Sequence, residues 1–92
     1  MRVVGRERLA VLRGEGGETA KWASSWLAEL RDAHWKRPAD VIVQFPKARP
    51  QHDGSFLFPV PKQERAIRVL VAFSHGLALV VAITVLKVTN GH

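Results

Sequence analysis

The hydrophobic rhythm of the chain is helical in its first half and strand-like in its second. Arg2-Val3-Val4 is a short strand candidate. From Arg6 to Arg13 one short helix is expected, with Leu9, Ala10 and Leu12 toward one side and Arg6, Glu7, Arg8 and Arg13 in water. Gly14-Glu15-Gly16-Gly17 interrupts it, because glycine is poor in helix interiors and good in turns. The clearest element runs from about Glu18 to His34, where Trp22, Ala23, Trp26, Leu27, Leu30 and Ala33 form one apolar stripe. Trp22 and Trp26 are i,i+4 partners on that stripe, which favours a core role over a stacking surface for bases. Lys36-Arg37-Pro38-Ala39-Asp40 reads as a helix restart, with Pro38 and Asp40 suited to the first turn. Val41, Ile42 and Phe45 would face inward, and Pro46 stops the element.

Lys47 to Gly54 reads as a loop, ending in the turn signal Asp53-Gly54. From Ser55 the period becomes two: Phe56, Phe58 and Val60 alternate with Leu57 and Pro59. Pro59 cannot donate to a ladder, so this strand should lie at an edge or end early. Ala66 to Phe73 and Leu77 to Val85 are two further strands, both nearly continuous apolar runs. The tail Thr89-Asn90-Gly91-His92 should fray. This order predicts a single α+β domain over residues 1–92, with N-terminal helices packed on a small antiparallel β-sheet.

Composition sharpens that picture. An apolar fraction of 47% and a charged fraction of 24% describe a globular chain. Residues 1–46 carry eight basic and six acidic groups, and residues 47–92 carry six and two, so the second half is the more cationic. Such a surface favours polyanions or acidic partners. There is no cysteine, and no apolar leader core follows Met1, so a cytoplasmic protein is expected. His34, His52, His75 and His92 show no metal-ligand spacing, so no metal or other cofactor is expected. Val69 to Leu86 lacks a charged side chain and reaches the length of a membrane span. Its β-branched residues and the central Ser74-His75-Gly76 instead favour a hairpin, with no membrane.

The stretch from Trp26 to Pro46, with its Trp35-Lys36-Arg37-Pro38-Ala39-Asp40 segment and Phe45-Pro46 stop, resembles the HigB-type toxins of bacterial type II toxin–antitoxin systems. So do the opening Met1-Arg2-Val3-Val4, the Asp53-Gly54 turn before a Phe-containing strand, and the strand that opens Ile67-Arg68-Val69. The resemblance covers residues 1 to about 85. It implies a RelE-like fold and a ribosome-dependent, metal-independent mRNA endonuclease, an mRNA interferase that inhibits translation. It also implies neutralisation by a HigA-like helix-turn-helix antitoxin. Two departures stand out. The connection Pro61 to Ala66 is longer than the family's turn, and the tail Lys87 to His92 lacks the family's Gly-Thr-His and tyrosine. The alternative expectation is therefore a catalytically impaired toxin-like module that binds antitoxin or RNA without cleaving.

RNA cleavage of this kind uses the substrate's own 2′-OH as nucleophile. The protein must position it, move protons and stabilise the extra negative charge. Arg68 is the first candidate, because a charge inside an apolar strand should face a cleft or an acid such as Glu64 or Asp53. Lys87 and His92 are the candidates for proton or charge roles. Lys36, Arg37, Lys47, Lys62 and Arg65 are candidate RNA contacts, with Lys47, Arg49 and His52 forming a basic loop.

Overall fold

The computed structural model of the protein describes residues 1–86. The apolar stripe of the long helix becomes the buried side of α2 (Gly17–Asp32), where Ala23, Trp26, Leu27 and Leu30 are buried. Before it come β1 (Arg2–Val4), a tight 3₁₀ turn (Arg6–Leu9) and the single-turn helix α1 (Ala10–Arg13). The chain thus enters the expected first helix through a tighter turn, with Leu9 and Leu12 both buried. After α2 comes α3 (Pro38–Gln44), opened by Pro38 as its first residue. Asp40 Oδ2 accepts from the backbone N–H of Lys36 at 2.8 Å and of Arg37 at 3.3 Å, which fixes the restart.

The strands are β2 (Arg49–Pro50), β3 (Ser55–Pro59), β4 (Arg65–Ala72) and β5 (Leu77–Val85). They form one five-stranded sheet in the order β1-β5-β4-β3-β2. Two expectations need correction. The sheet is mixed, not purely antiparallel: β1 runs parallel to β5, because the chain crosses the sheet through the helices before returning beside its own start. The stretch Lys47–Gly54 is not all loop, because the Asp53-Gly54 turn closes a hairpin and brings Arg49 opposite Leu57 and Pro50 opposite Phe56. Pro50 on short β2 marks this edge, while Pro59 ends β3 opposite Ala66. The uncharged run from Val69 to Leu86 lies within the β4–β5 hairpin and its end. Among the described residues no helix is long and apolar enough to cross a membrane.

All the helices cover one face of the sheet. The core joins Leu9, Leu12, Trp26, Leu27, Leu30, Trp35 and Val41 to Phe56, Phe58, Ile67, Val69, Val71, Ala78 and Val80. Strand alternation sends the intervening residues to the other face. Register groups them as Val4, Leu79, Leu70 and Ser55 in one row, and Ala82, Arg68, Leu57 and Arg49 in the next. Between Arg68 and Val69 the β4–β5 ladder shifts: Arg68 faces Ala82 and Val69 faces Val80, so Val81 is an extra, bulged residue.

β1 leads into the 3₁₀ turn through Gly5, which has φ of +82° and presses on β5 so closely that an added Cβ would lie 2.5 Å from the Val80 carbonyl oxygen. Gly76, at φ of +61° in the β4–β5 turn, has open space where its Cβ would be. Gly76→Ala should therefore cost only the left-handed backbone penalty, about 1–2 kcal/mol. Gly5→Ala should cost roughly 1 kcal/mol or more beyond that, because backbone must move. Urea unfolding of the two variants checks this, and equal losses would contradict the close approach of Gly5 to β5.

Candidate functional site

Arg68 lies in the middle of β4, between the buried residues Ile67 and Val69, and its even position sends it to the uncovered face. Its cross-strand neighbours are Leu57 and Ala82. The Val81 bulge sits beside it, and bulges of this kind commonly re-aim side chains at functional sites. Arg68 Nη2 donates to Asp53 Oδ2 at 2.5 Å. Its side chain keeps 36% of its surface in water, so a ligand can reach it. Of the two acids that the sequence offered as partners, the fold selects Asp53.

Asp53 is itself held. Its Oδ1 accepts from the Ser55 hydroxyl at 2.6 Å and from the Ser55 backbone N–H at 2.9 Å. Ser55 is buried, the one buried polar residue among those described. The two hydrogen bonds from Ser55, then the bond from Arg68, hold the Asp53 carboxyl far below the usual carboxylate range. The result is a fixed carboxylate that orients a guanidinium. Arg49 stands on the same face and in the same row, two strands from Arg68, or about 10 Å by interstrand spacing. The sequence placed Arg49 in a basic loop; the β2–β3 hairpin places it in the row of Arg68 with Leu57 between them, and the Asp53-Gly54 turn was the signal for it. His52 is exposed in that same turn.

The other candidate RNA contacts do not converge on Arg68. Arg65 is not a mobile turn cation. It begins β4 on the helix side, where Nη2 donates to Glu15 Oε1 at 2.7 Å and Nε to Gln63 Oε1 at 2.6 Å. This pairing lowers the Glu15 pKa and raises that of Arg65. Lys62 is exposed at the tip of the β3–β4 turn, 4.0 Å from Glu18 at the start of α2. Lys36 and Arg37 are exposed at the other end of α2. A helix of 16 residues separates those ends by about 24 Å. Lys47 is exposed at the rim of a cavity of about 430 Å³ between α2, α3 and β3, lined by Trp22, Trp26, Phe45 and Phe58. That cavity is on the helix side, away from Arg68. The Trp26 indole N–H has no acceptor among the described residues, and the Trp26 and Phe58 rings meet edge-on with centroids 5.3 Å apart. Lys87 and His92 lie outside the described residues. Among the described residues no three His, Asp or Glu side chains are grouped to hold a metal ion.

No protein-family model matches the chain, and no curated protein matches it.

Two measurements follow from this geometry. Because the folded Asp53 resists protonation, its contribution to stability is present above the unfolded carboxylate pKa, near 4, and is lost as pH falls below it. Asp53→Asn should be less stable at neutral pH and should lose less on acidification; urea midpoints across pH 2–7 test the sign. Lys62 has φ of +64° at the third position of a turn closed by the Gln63 N–H on the Val60 carbonyl, a place that favours glycine. Lys62→Gly should raise stability by about 0.5 kcal/mol, strain relief outweighing glycine's entropy. A fall in thermal midpoint would show that the strain is absent.

Proposed function

We propose that this chain is the toxin of a type II toxin–antitoxin system, with the RelE-like fold of the HigB-type toxins. In this reading it cuts mRNA on the ribosome, inhibits translation in the cytoplasm and is neutralised by a HigA-like helix-turn-helix antitoxin. The observation that carries the reading is Arg68: a mid-strand arginine on the uncovered sheet face, anchored by Asp53, about a third in water, with Arg49 in the same row. It supports the resemblance of Trp26–Pro46 and of the Arg68 strand to that family.

The chemistry follows from the side chains. A ribose 2′-OH of the bound mRNA gives up its proton and attacks the adjacent phosphorus, closing a 2′,3′-cyclic phosphate as the P–O5′ bond breaks and the departing 5′-oxygen takes up a proton. Arg68 meets the phosphate oxygens with its remaining N–H groups while Asp53 keeps the guanidinium in place. Arg49 adds a second cation toward the neighbouring phosphate. The proton steps fall to other groups. Leu57 and Ala82, opposite Arg68, carry no titratable proton, and Asp53 is held anionic. The family resemblance assigns those steps to the tail, where Lys87 and His92 are the candidates. The apolar surroundings of Arg68 favour a second reading, a toxin-like module that binds RNA or antitoxin without cutting.

The test is induction of the chain alone, beside Arg68→Ala at equal protein level. The nuclease reading expects growth arrest and translation-dependent mRNA cuts, with cleavage by purified Arg68→Ala on programmed ribosomes down about 10²–10³-fold. Intact transcripts from a folded, soluble wild type would leave the binding reading.

A further inference from the structure

The stripe of α2 that borders α3 ends in a charge. Trp22, Trp26 and Glu29, at i, i+4 and i+7, all line the cavity between α2, α3 and β3. Trp26 and Phe58, 2% and 3% exposed, close its floor, while Trp22 and Phe45 are part-exposed at its mouth. Four of the chain's seven Trp and Phe rings thus border a space of about 430 Å³, whereas a folded interior leaves few voids larger than a water molecule. Ligand sites commonly measure about 300–1,000 Å³ and combine apolar and aromatic walls with a few polar groups. The charged groups here are of opposite sign: Glu29 on the α2 stripe and Lys47 just past α3. Both are exposed, and neither forms an ion pair among the described residues. Gln44 braces this end of the cavity, its Nε2 donating to the Glu29 carbonyl at 3.4 Å and its Oε1 accepting from the Trp35 indole at 3.0 Å.

We propose that this cavity is a binding site for a free aromatic amino acid. The ligand's ring lies among Trp22, Trp26, Phe45 and Phe58, its α-ammonium meets the Glu29 carboxylate, and its α-carboxylate meets the Lys47 ammonium. Charge complementarity selects a zwitterion: Lys47 repels a lone cation and Glu29 a lone anion, whereas a ligand bearing both charges satisfies each. Placement selects the long side chain. Gln44 holds the end of α3 against Glu29, and Lys47 follows three residues later, so both charges stand at one end of the cavity. Trp22 is seven residues from Glu29, about 10 Å along α2, which leaves an apolar length for a ring to fill. A methyl side chain would leave most of it empty. Because the ligand touches α2, β3 and the end of α3 together, it stabilises the folded chain. The site lies on the helix side of the sheet, away from Arg68, and does not depend on the nuclease reading.

The probe is L-phenylalanine, titrated into the full chain and followed by tryptophan fluorescence and by the thermal midpoint, both of which should respond saturably. L-alanine, which lacks the ring, phenylpropionate, which lacks the ammonium, and phenethylamine, which lacks the carboxylate, should each bind at least about fivefold more weakly. Glu29→Gln and Lys47→Gln, at exposed positions where folding is not at stake, should each weaken L-phenylalanine about fivefold. Glu29→Gln should not weaken phenylpropionate, and Lys47→Gln should not weaken phenethylamine, since each analogue lacks the group that the substituted side chain would meet. Leu70→Asn, on the other face of the sheet, should bind as wild type does. The proposal falls if L-phenylalanine gives no saturable response, if it binds no better than the three analogues, or if either charge variant binds it as well as wild type. It also falls if a proline-rich peptide binds and the amino acid does not, or if sedimentation shows a dimer that Trp22→Ala, confirmed as folded by circular dichroism, dissociates. Loss of mRNA cleavage with amino-acid binding intact would count against the nuclease reading alone.

Discussion

Phe58 is the point at which helices and sheet are joined. Its ring meets Trp26 of α2 at 5.3 Å and Phe45 at 5.2 Å, both edge-on, and lies nearly parallel to Trp35 at 6.4 Å. Trp35 in turn donates to Gln44 on α3 at 3.0 Å. Burying these rings together supplies much of the apolar area that such a short chain can remove from water. It also decides which way β3 faces. With Phe56 and Phe58 turned toward the helices, Leu57 must point away, and pairing with β4 carries Arg68 with it. The aromatic cluster on one side of the sheet thus determines the chemistry presented on the other.

That chemistry is organised by very few polar contacts. Ser55 begins β3, is buried, and uses both its hydroxyl and its backbone N–H to hold Asp53, which holds Arg68. The chain of bonds runs from the β2–β3 turn to β4, the strand next to β3, so the guanidinium takes its orientation from the hairpin and not from β4 itself. Arg65, three residues before Arg68, is drawn to the opposite face by Glu15 and Gln63. Two arginines close in sequence therefore do different things: one ties β4 to the loop before α2, the other faces outward.

Much of this was legible in the sequence, for physical reasons that differ by element. The α2 stripe was clear because six apolar residues share one helical face, and β5 because β-branched residues fill it after an evident turn. Asp53 could be named as a partner of Arg68 because an arginine amid valines needs an acid or water. The parallel pairing of β1 was not legible: three residues carry no signal of strand direction, and the partner lies over seventy residues away. β2 was hidden because Pro50 is a poor strand former and only a two-residue ladder rewards it. Convergence of Lys36, Arg37, Lys62 and Arg65 could not be judged by charge counting, since the length of α2 separates them and an acid captures Arg65.

The extra residue at Val81 corrects the parity of β5. Strict alternation from Ala78 and Val80, both facing the helices, would turn Ala82 and Thr84 inward and Ile83 outward. With Val81 set aside, Ile83 pairs with Ile67 and packs against the core, while Thr84 pairs with Ala66 on the outer side. A sequence whose polar and apolar positions fall out of step partway along a strand has thereby been brought back into phase by a single unpaired residue.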